Sequence, residues 1–334
     1  MTATIRDVAA RAGVSVGTVS NVLNGRGTVS QRIIRDVREA IDTLGYVRND
    51  AARQLRAGHS RGIGLVVLNV ANPFFAAVAR GAEARAAEDG MVVLLGSSEQ
   101  LEEREESYLE LFLEQRVSGV LVSPATDGQA SLDRLAASGV PVVLVDREAP
   151  ASSALLSVAV DDVEGGYLAV SHLLARGRRR IVFIGGPPTT RQVSDRLHGA
   201  ERAVAEVPGA SLEVMPIDGM TVLDGRAAGE RIATRAARPD GIFAANDLVA
   251  IGVLQALSML ADIRVPDDIA LVGYDDIDFA AATVVPLTSV RQPAELIGWT
   301  AVDLALRQSA GALAAEGRAV LFRPELVVRA STGG

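Results

Sequence analysis

RDVAARAGVSVGTVSNVLNG, residues 6–25, holds two short apolar-periodic stretches parted by one glycine. Thr4 stands where a helix N-cap would, and Asp7 three residues on completes a capping-box pattern. Ile5, Val8, Ala9 and Ala12 make one apolar stripe, and Gly13 allows the tight turn. Ser15 caps a second helix in which Val19, Val22 and Leu23 face inward. That leaves Val16, Gly17, Thr18, Ser20 and Asn21 facing outward, and Asn24-Gly25 closes the helix. Two helices joined this tightly predict a helix-turn-helix, whose second helix uses its N-terminal residues to reach base edges.

Working outward, Ser30 caps a third helix with Ile33, Ile34, Val37, Ile41 and Leu44 as its core face, and Gly45 ends it. In YVRNDAARQLRAGHS, residues 46–60, Asn49 caps a short fourth helix that carries Arg53, Leu55 and Arg56. The chain of 334 residues has a net charge of −8, which alone argues against a nucleic-acid partner. The distribution reverses that reading. Residues 1–60 hold nine Arg against five Asp and Glu, and the remainder holds 24 cations against 36 anions. A basic head on an acidic body is the asymmetry expected when one end meets phosphate. Every cation is Arg; there is no Lys.

The chain has no cysteine, which excludes disulfides and thiolate zinc sites and fits a cytoplasmic location. His59, His172 and His198 lie too far apart for metal-ligand spacing, so no metal or cofactor is expected. No apolar run approaches the ~18 residues of a membrane span, and no secretory leader is expected.

The head, through residue 60, resembles the LacI/GalR family of bacterial transcription repressors. The resemblance implies that the fourth helix is a hinge helix. Two such helices from a homodimer enter the minor groove, and Leu55 from each wedges into the central base step. Such a wedge kinks the duplex and reads its deformability. Arg48 departs from the family, which commonly has proline before the asparagine. Val16 and Gly17 fall at base-reading positions yet cannot form bidentate bonds, so Asn21 is the better polar reader and Val16 suits a thymine methyl. The DNA-contacting set is thus Thr4, Ser15, Val16, Gly17, Thr18, Ser20, Asn21, Asn24, Arg53, Leu55 and Arg56.

Beyond residue 60 apolar runs suited to buried strands recur at 63–70, 91–96, 119–123, 140–146, 157–160, 181–185, 214–217, 241–245 and 269–273. Helical-period segments lie between most of them, such as Val249, Val253, Ala256, Leu257 and Leu260. This alternation predicts parallel sheets covered by helices on both faces, and so many strands need two sheets. The expected organisation is a helix-turn-helix head (1–47), a hinge helix and linker (48–60), and an effector-binding and dimerisation domain (61–334). Its lobe 1 covers about 61–160 and 291–320, and lobe 2 about 161–290 and 321–334.

Ligands of such sheets bind beyond the carboxyl ends of the strands. Polar and aromatic residues just past those ends are Asn72, Phe74, Asp146, Arg147, Arg191, Gln192, Arg196, Met220, Asn246 and Asp275. Carboxylates, amides and forked guanidinium groups suit a small polyhydroxylated ligand. Asn246 and Asp275 also read as helix-capping residues, Phe75 as core, and the lone Trp299 as packing. VANPFFAAVARGAE, VSDRLHGAERAV, FAANDLVAIGVLQAL and LVGYDDIDFA resemble effector-domain segments of the same family, whose body is similar to type I periplasmic sugar-binding proteins. The resemblance implies effector contacts at Phe74, Arg196, Asn246 and Asp275, and an inter-lobe loop at Asp146 and Arg147. Met220 falls where some members place an aromatic ring.

The reading is a dimeric regulator, a repressor, that binds near-palindromic double-stranded operator DNA under control of a sugar-like effector. The alternatives are control by a corepressor protein or by a nucleoside- or purine-like ligand. A secreted sugar-binding protein would lack the head. An enzyme would need a phosphate loop or an activated nucleophile, and Gly185-Gly186-Pro187-Pro188 has the spacing of neither, so no catalytic residue is assigned.

Overall fold

A computed structural model describes residues 3–24, 29–46, 60–126, 130–150, 153, 155–187, 189–259, 263–314 and 317–333. Arg48, Arg53, Leu55, Arg56 and the side chain of Asn24 lie outside the described residues. The chain forms two compact units, residues 1–60 and 61–334.

In the first unit α1 (Ile5–Arg11), α2 (Val16–Asn24) and α3 (Gln31–Leu44) enclose a small core. The capping box is formed: Thr4 N donates to Asp7 Oδ2 at 2.8 Å, and Thr4 Oγ1 accepts from Asp7 N at 3.4 Å. Ser15 Oγ accepts from Thr18 N at 3.0 Å, and Gly13 and Gly45 take left-handed backbone at φ +65° and +57°. Val8, Val19 and Val37 are fully enclosed, with Ala9 and Ala40 beside them. Ile33, Ile41 and Leu44 pack half-buried against this core, and Ala40 is enclosed with Val37 on the same helix.

The second unit contains two six-stranded sheets. All nine apolar runs form strands, β1 (Gly62–Val67), β2 (Val92–Ser97), β3 (Gly119–Val122), β4 (Val142–Val145), β5 (Leu156–Val160), β6 (Arg180–Gly185), β7 (Ser211–Pro216), β8 (Gly241–Ala244) and β9 (Ala270–Asp275). Three further strands, β10 (Thr288–Arg291), β11 (Ala319–Phe322) and β12 (Glu325–Val327), complete the sheets. Lobe 1 has the order β11-β5-β4-β3-β1-β2 and lobe 2 the order β12-β10-β9-β8-β6-β7. Lobe 1 is parallel throughout. Lobe 2 departs from the all-parallel expectation at β12, which returns antiparallel to β10. β12 follows β11 after two residues, so the chain leaves lobe 1 at the carboxyl edge of its sheet and enters lobe 2 at the carboxyl edge of the other, running against β10.

The helices of the second unit are α4 (Pro73–Glu88), α5 (Glu102–Glu114), α6 (Ala130–Ala137), α7 (Asp162–Ala175), α8 (Arg191–Ala205), α9 (Val222–Ala233), α10 (Asp247–Met259), α11 (Asp278–Ala281) and α12 (Ala294–Ser309). Three helix pairs use one packing device. Gly81 of α4 lies on the Glu295 carbonyl of α12, and Gly298 lies back on Val78. Gly166 and Gly199 do the same for α7 and α8, and Gly225 and Gly252 for α9 and α10. A Cβ at any of the six would overlap a backbone carbonyl of the partner helix, so the close approach needs glycine. Trp299, read as a packing residue, lies 36% exposed on α12 with Arg85 over its ring.

Candidate functional site

The carboxyl ends of the two sheets meet in a seam of direct hydrogen bonds. Asn72 precedes Pro73 at the N-terminus of α4. Its Oδ1 caps Phe74 N at 3.0 Å, which leaves Nδ2 to donate to Asp275 Oδ2 of the other lobe at 3.3 Å. Gln192, in the first turn of α8, donates Nε2 to the Asp146 backbone carbonyl at 2.7 Å and to Asp146 Oδ2 at 3.0 Å. Thr190 Oγ1 donates to Gln100 Oε1 at 3.4 Å. Asp146 follows β4 and Asp275 ends β9, and both hold left-handed backbone, at φ 58° and 104°. That conformation is costly for a residue with a side chain and is a mark of functional sites.

At the centre lies Arg196, 3% exposed. Its Nε donates to Asp162 Oδ1 at 2.8 Å and its Nη1 to the Ala245 carbonyl at 2.6 Å, while the guanidinium sits 3.6 Å from the Tyr274 ring centroid. Gly165 makes room for the Tyr274 hydroxyl, which a Cβ there would overlap. Three buried carboxylates act on this arginine, Asp146, Asp162 and Asp275, and a fourth, Asp247, is buried near Asp275. Burial raises all four pKa values, because a desolvated carboxylate resists ionisation. Asp146 and Asp247 are pushed well above the usual range, with Asp162 and Asp275 respectively adding like-charge repulsion. Asp275 is pushed up to about 6 by burial, with Arg196 and the bonds from Asn72 and Gln292 pulling it back. Burial works against the Arg196 charge, yet Asp162, Tyr274 and Asp275 hold it protonated.

Several polar atoms in this seam are enclosed and have no hydrogen-bond partner: Ser123 Oγ just past β3, Asp146 Oδ1 past β4, and Gln292 Oε1 past β10. Such atoms carry a desolvation cost of about 1–3 kcal/mol each unless something binds them.

The remaining sequence candidates fall around this centre. Asn246 caps α10, its Oδ1 accepting from Val249 N at 2.8 Å, and Nδ2 donates to the Met220 carbonyl at 3.2 Å. Met220 packs partly buried against the lobe 2 core. Phe74 is as buried as Phe75, and their rings meet edge to face at 5.0 Å. Arg147 Nη1 donates to the Thr126 carbonyl, and Arg191 pairs with Asp195 one turn along α8. Asp162, Ser123 and Gln292 join the site without having been singled out. Asp162 and Ser123 follow strands and were open to the same rule, whereas Gln292 follows β10, whose sequence TSVR has no apolar run.

On α2, Val16, Gly17 and Asn21 are exposed, with Val16 at 41%. Thr18 and Ser20 are half-buried, and the Ser15 and Thr18 hydroxyls lie 2.9 Å apart. The outward face is therefore apolar at its start and polar one turn later.

Residues 4–49 match the model for bacterial regulatory proteins of the lacI family, and residues 170–332 match a periplasmic binding protein-like domain. The HTH-type transcriptional repressor PurR of Photobacterium profundum is 35% identical over 332 residues, 98% of each chain. The chain belongs to the LacI family. As a LacI-family member it is a DNA-binding transcription regulator whose body has the ligand-binding domain of that family. Among solved structures of the family, the lac repressor dimer bound to operator and the anti-inducer ONPF is 28% identical, with a TM-score of 0.85 over 99% of each chain. The complex of transcriptional regulator CelR with cellobiose is 33% identical, with a TM-score of 0.70 over 98% of this chain and 99% of that one. Among the described residues no helix is long and apolar enough to cross a membrane, and no acid–histidine cluster is arranged to hold a metal ion.

Proposed function

We propose that this LacI-family protein is a cytoplasmic homodimeric repressor without enzymatic activity, whose grip on a near-palindromic operator is set by a sugar-like effector held between the lobes. The observation that carries the reading is the set of enclosed, unpartnered polar atoms at the seam, on the chain that also bears the exposed reading face of α2. Asn72, Asp146, Gln192, Arg196 and Asp275 form the centre of the effector site. Phe74, Arg147, Arg191, Met220 and Asn246 belong to its surroundings. On the DNA side Val16, Gly17 and Asn21 meet base edges, Thr4, Ser15, Thr18, Ser20 and Asn24 hold backbone, and Arg53, Leu55 and Arg56 act at the hinge helix.

The lac repressor was solved as a dimer on operator and CelR with a sugar, which supports both halves of the proposal. An effector that favours one lobe arrangement shifts operator affinity by its differential binding, about 1–3 kcal/mol in such coupled systems. The test is selection of bound duplexes from a random DNA pool, followed by retitration of the winner with a sugar library. A palindromic consensus whose affinity shifts about fivefold or more with one sugar is expected. Recovery of no consensus would sink the operator reading, and a consensus insensitive to every small molecule would sink the effector reading. Leu55→Ala is expected to weaken consensus binding far more than binding to random DNA; equal losses would remove the wedge.

A further inference from the structure

We infer that the effector site selects for ligands that are rich in hydrogen-bond donors and carry no negative charge, and so takes neutral sugars and rejects their phosphate esters and acids. The inference rests on the effector reading above and adds the charge of the ligand to it. Three carboxylates, Asp146, Asp162 and Asp275, are each less than a tenth exposed, against one guanidinium equally enclosed, Arg196. That guanidinium is already committed to Asp162, the Ala245 carbonyl and the Tyr274 ring face. The arginines beside the site are committed too, Arg147 to the Thr126 carbonyl and Arg191 to Asp195.

The unpartnered atoms point the same way. Asp146 Oδ1 and Gln292 Oε1 are acceptors, on side chains whose residues are 5% and 4% exposed, and Ser123 adds a hydroxyl at 0%. A ligand that satisfies the two acceptors must bring N–H or O–H groups, while the hydroxyls of Ser123 and Tyr274, both unpartnered, can donate or accept. A sugar hydroxyl can donate to a carboxylate oxygen and accept elsewhere. A phosphate or carboxylate placed there brings acceptors, and its charge must either repel an ionised Asp146 or hold a proton on it, on top of the burial that already raises its pKa. Like charges in a water-poor site repel strongly, and Arg147, Arg191 and Arg196 already spend their charge on other groups.

Calorimetric titration of the full-length protein with matched pairs tests this: glucose, galactose, ribose and cellobiose, each beside its phosphate ester or acid, and hypoxanthine beside its nucleoside monophosphate. At least one neutral sugar is expected to bind, with its anionic counterpart at least about tenfold weaker. Asp146→Asn, which removes a carboxylate from the site, is expected to narrow the gap between the neutral sugar and its anionic counterpart about tenfold, and an unchanged gap would overturn the inference. An anionic member that binds more tightly than its neutral partner overturns the charge inference and leaves the effector reading standing. Binding of hypoxanthine but of no sugar overturns the sugar assignment alone. Heat from no pair, with operator affinity unmoved by all of them, overturns both.

Discussion

Lobe 1 and lobe 2 are built to one plan and used differently. Each runs its strands in the same order, and each places an aspartate in left-handed backbone at the end of its fourth strand, Asp146 in one and Asp275 in the other. Asp275 has both oxygens engaged, by Asn72 and by Gln292 at 2.8 Å, with Arg196 near. Asp146 has one oxygen engaged and one bare. Lobe 2 also supplies the buried arginine, Asp162 and Asp247. The difference teaches that lobe 2 is the pre-assembled polar wall, whereas lobe 1 presents acceptors still waiting for a donor.

Four changes break or sharpen that contrast. The largest effect is expected from Arg196→Met, which leaves Asp162 buried without its cation; urea unfolding should show a loss of about 3–5 kcal/mol. A loss below ~1 kcal/mol would mean that lobe 2 is not organised around this residue. Gly165→Ala drives a methyl into the Tyr274 hydroxyl and should cost about 1–3 kcal/mol by the same measurement.

Asp275 sharpens the contrast through pH. Its pKa is about 6 in the fold and near 4 in the unfolded chain, so its protonated form favours the fold. Its contribution to stability is full below pH ~4 and is lost as pH rises through about 6. Between about pH 7 and 5 the parent should gain stability, on the order of 1 kcal/mol from this group. Asp275→Asn should abolish that share of the gain, and an identical pH profile in the variant would contradict the assignment. The smallest effect belongs to the head. A Cβ at Gly17 meets only Ser15 Oγ at an ordinary 3.6 Å, so Gly17→Ala should raise thermal stability by up to ~1 kcal/mol while altering operator preference. Destabilisation instead would show that α2 needs the glycine for its own packing.

The head was legible almost residue by residue because caps and turns are local: Thr4 needs only Asp7, and Ser15 only Thr18. The other nine strands were legible through their apolar runs. β10 (TSVR) and β12 (ELV) mix polar with apolar residues and were not, and the short run AVLF of β11 did not stand out. Asp146, Gln192, Arg196 and Asp275 followed from the rule that sites lie past strand ends. What those residues touch did not follow. Arg196 lies 34 residues from Asp162, and Asn72 lies 203 from Asp275, distances that no local pattern spans. Asn246 shows the reverse case, a capping signal and a site signal written in the same residue.

The glycine-seated helix pairs carry a mechanical consequence. Backbones in direct contact have no side chains to slide over, so each lobe moves as one piece. The chain passes between the lobes three times, after β5, after β10 and between β11 and β12. These passages lie side by side, since Val160 pairs with Phe322 and Arg291 with Glu325. Two rigid pieces tethered by three adjacent strands of backbone are left with essentially one degree of freedom, rotation about the axis that those strands define.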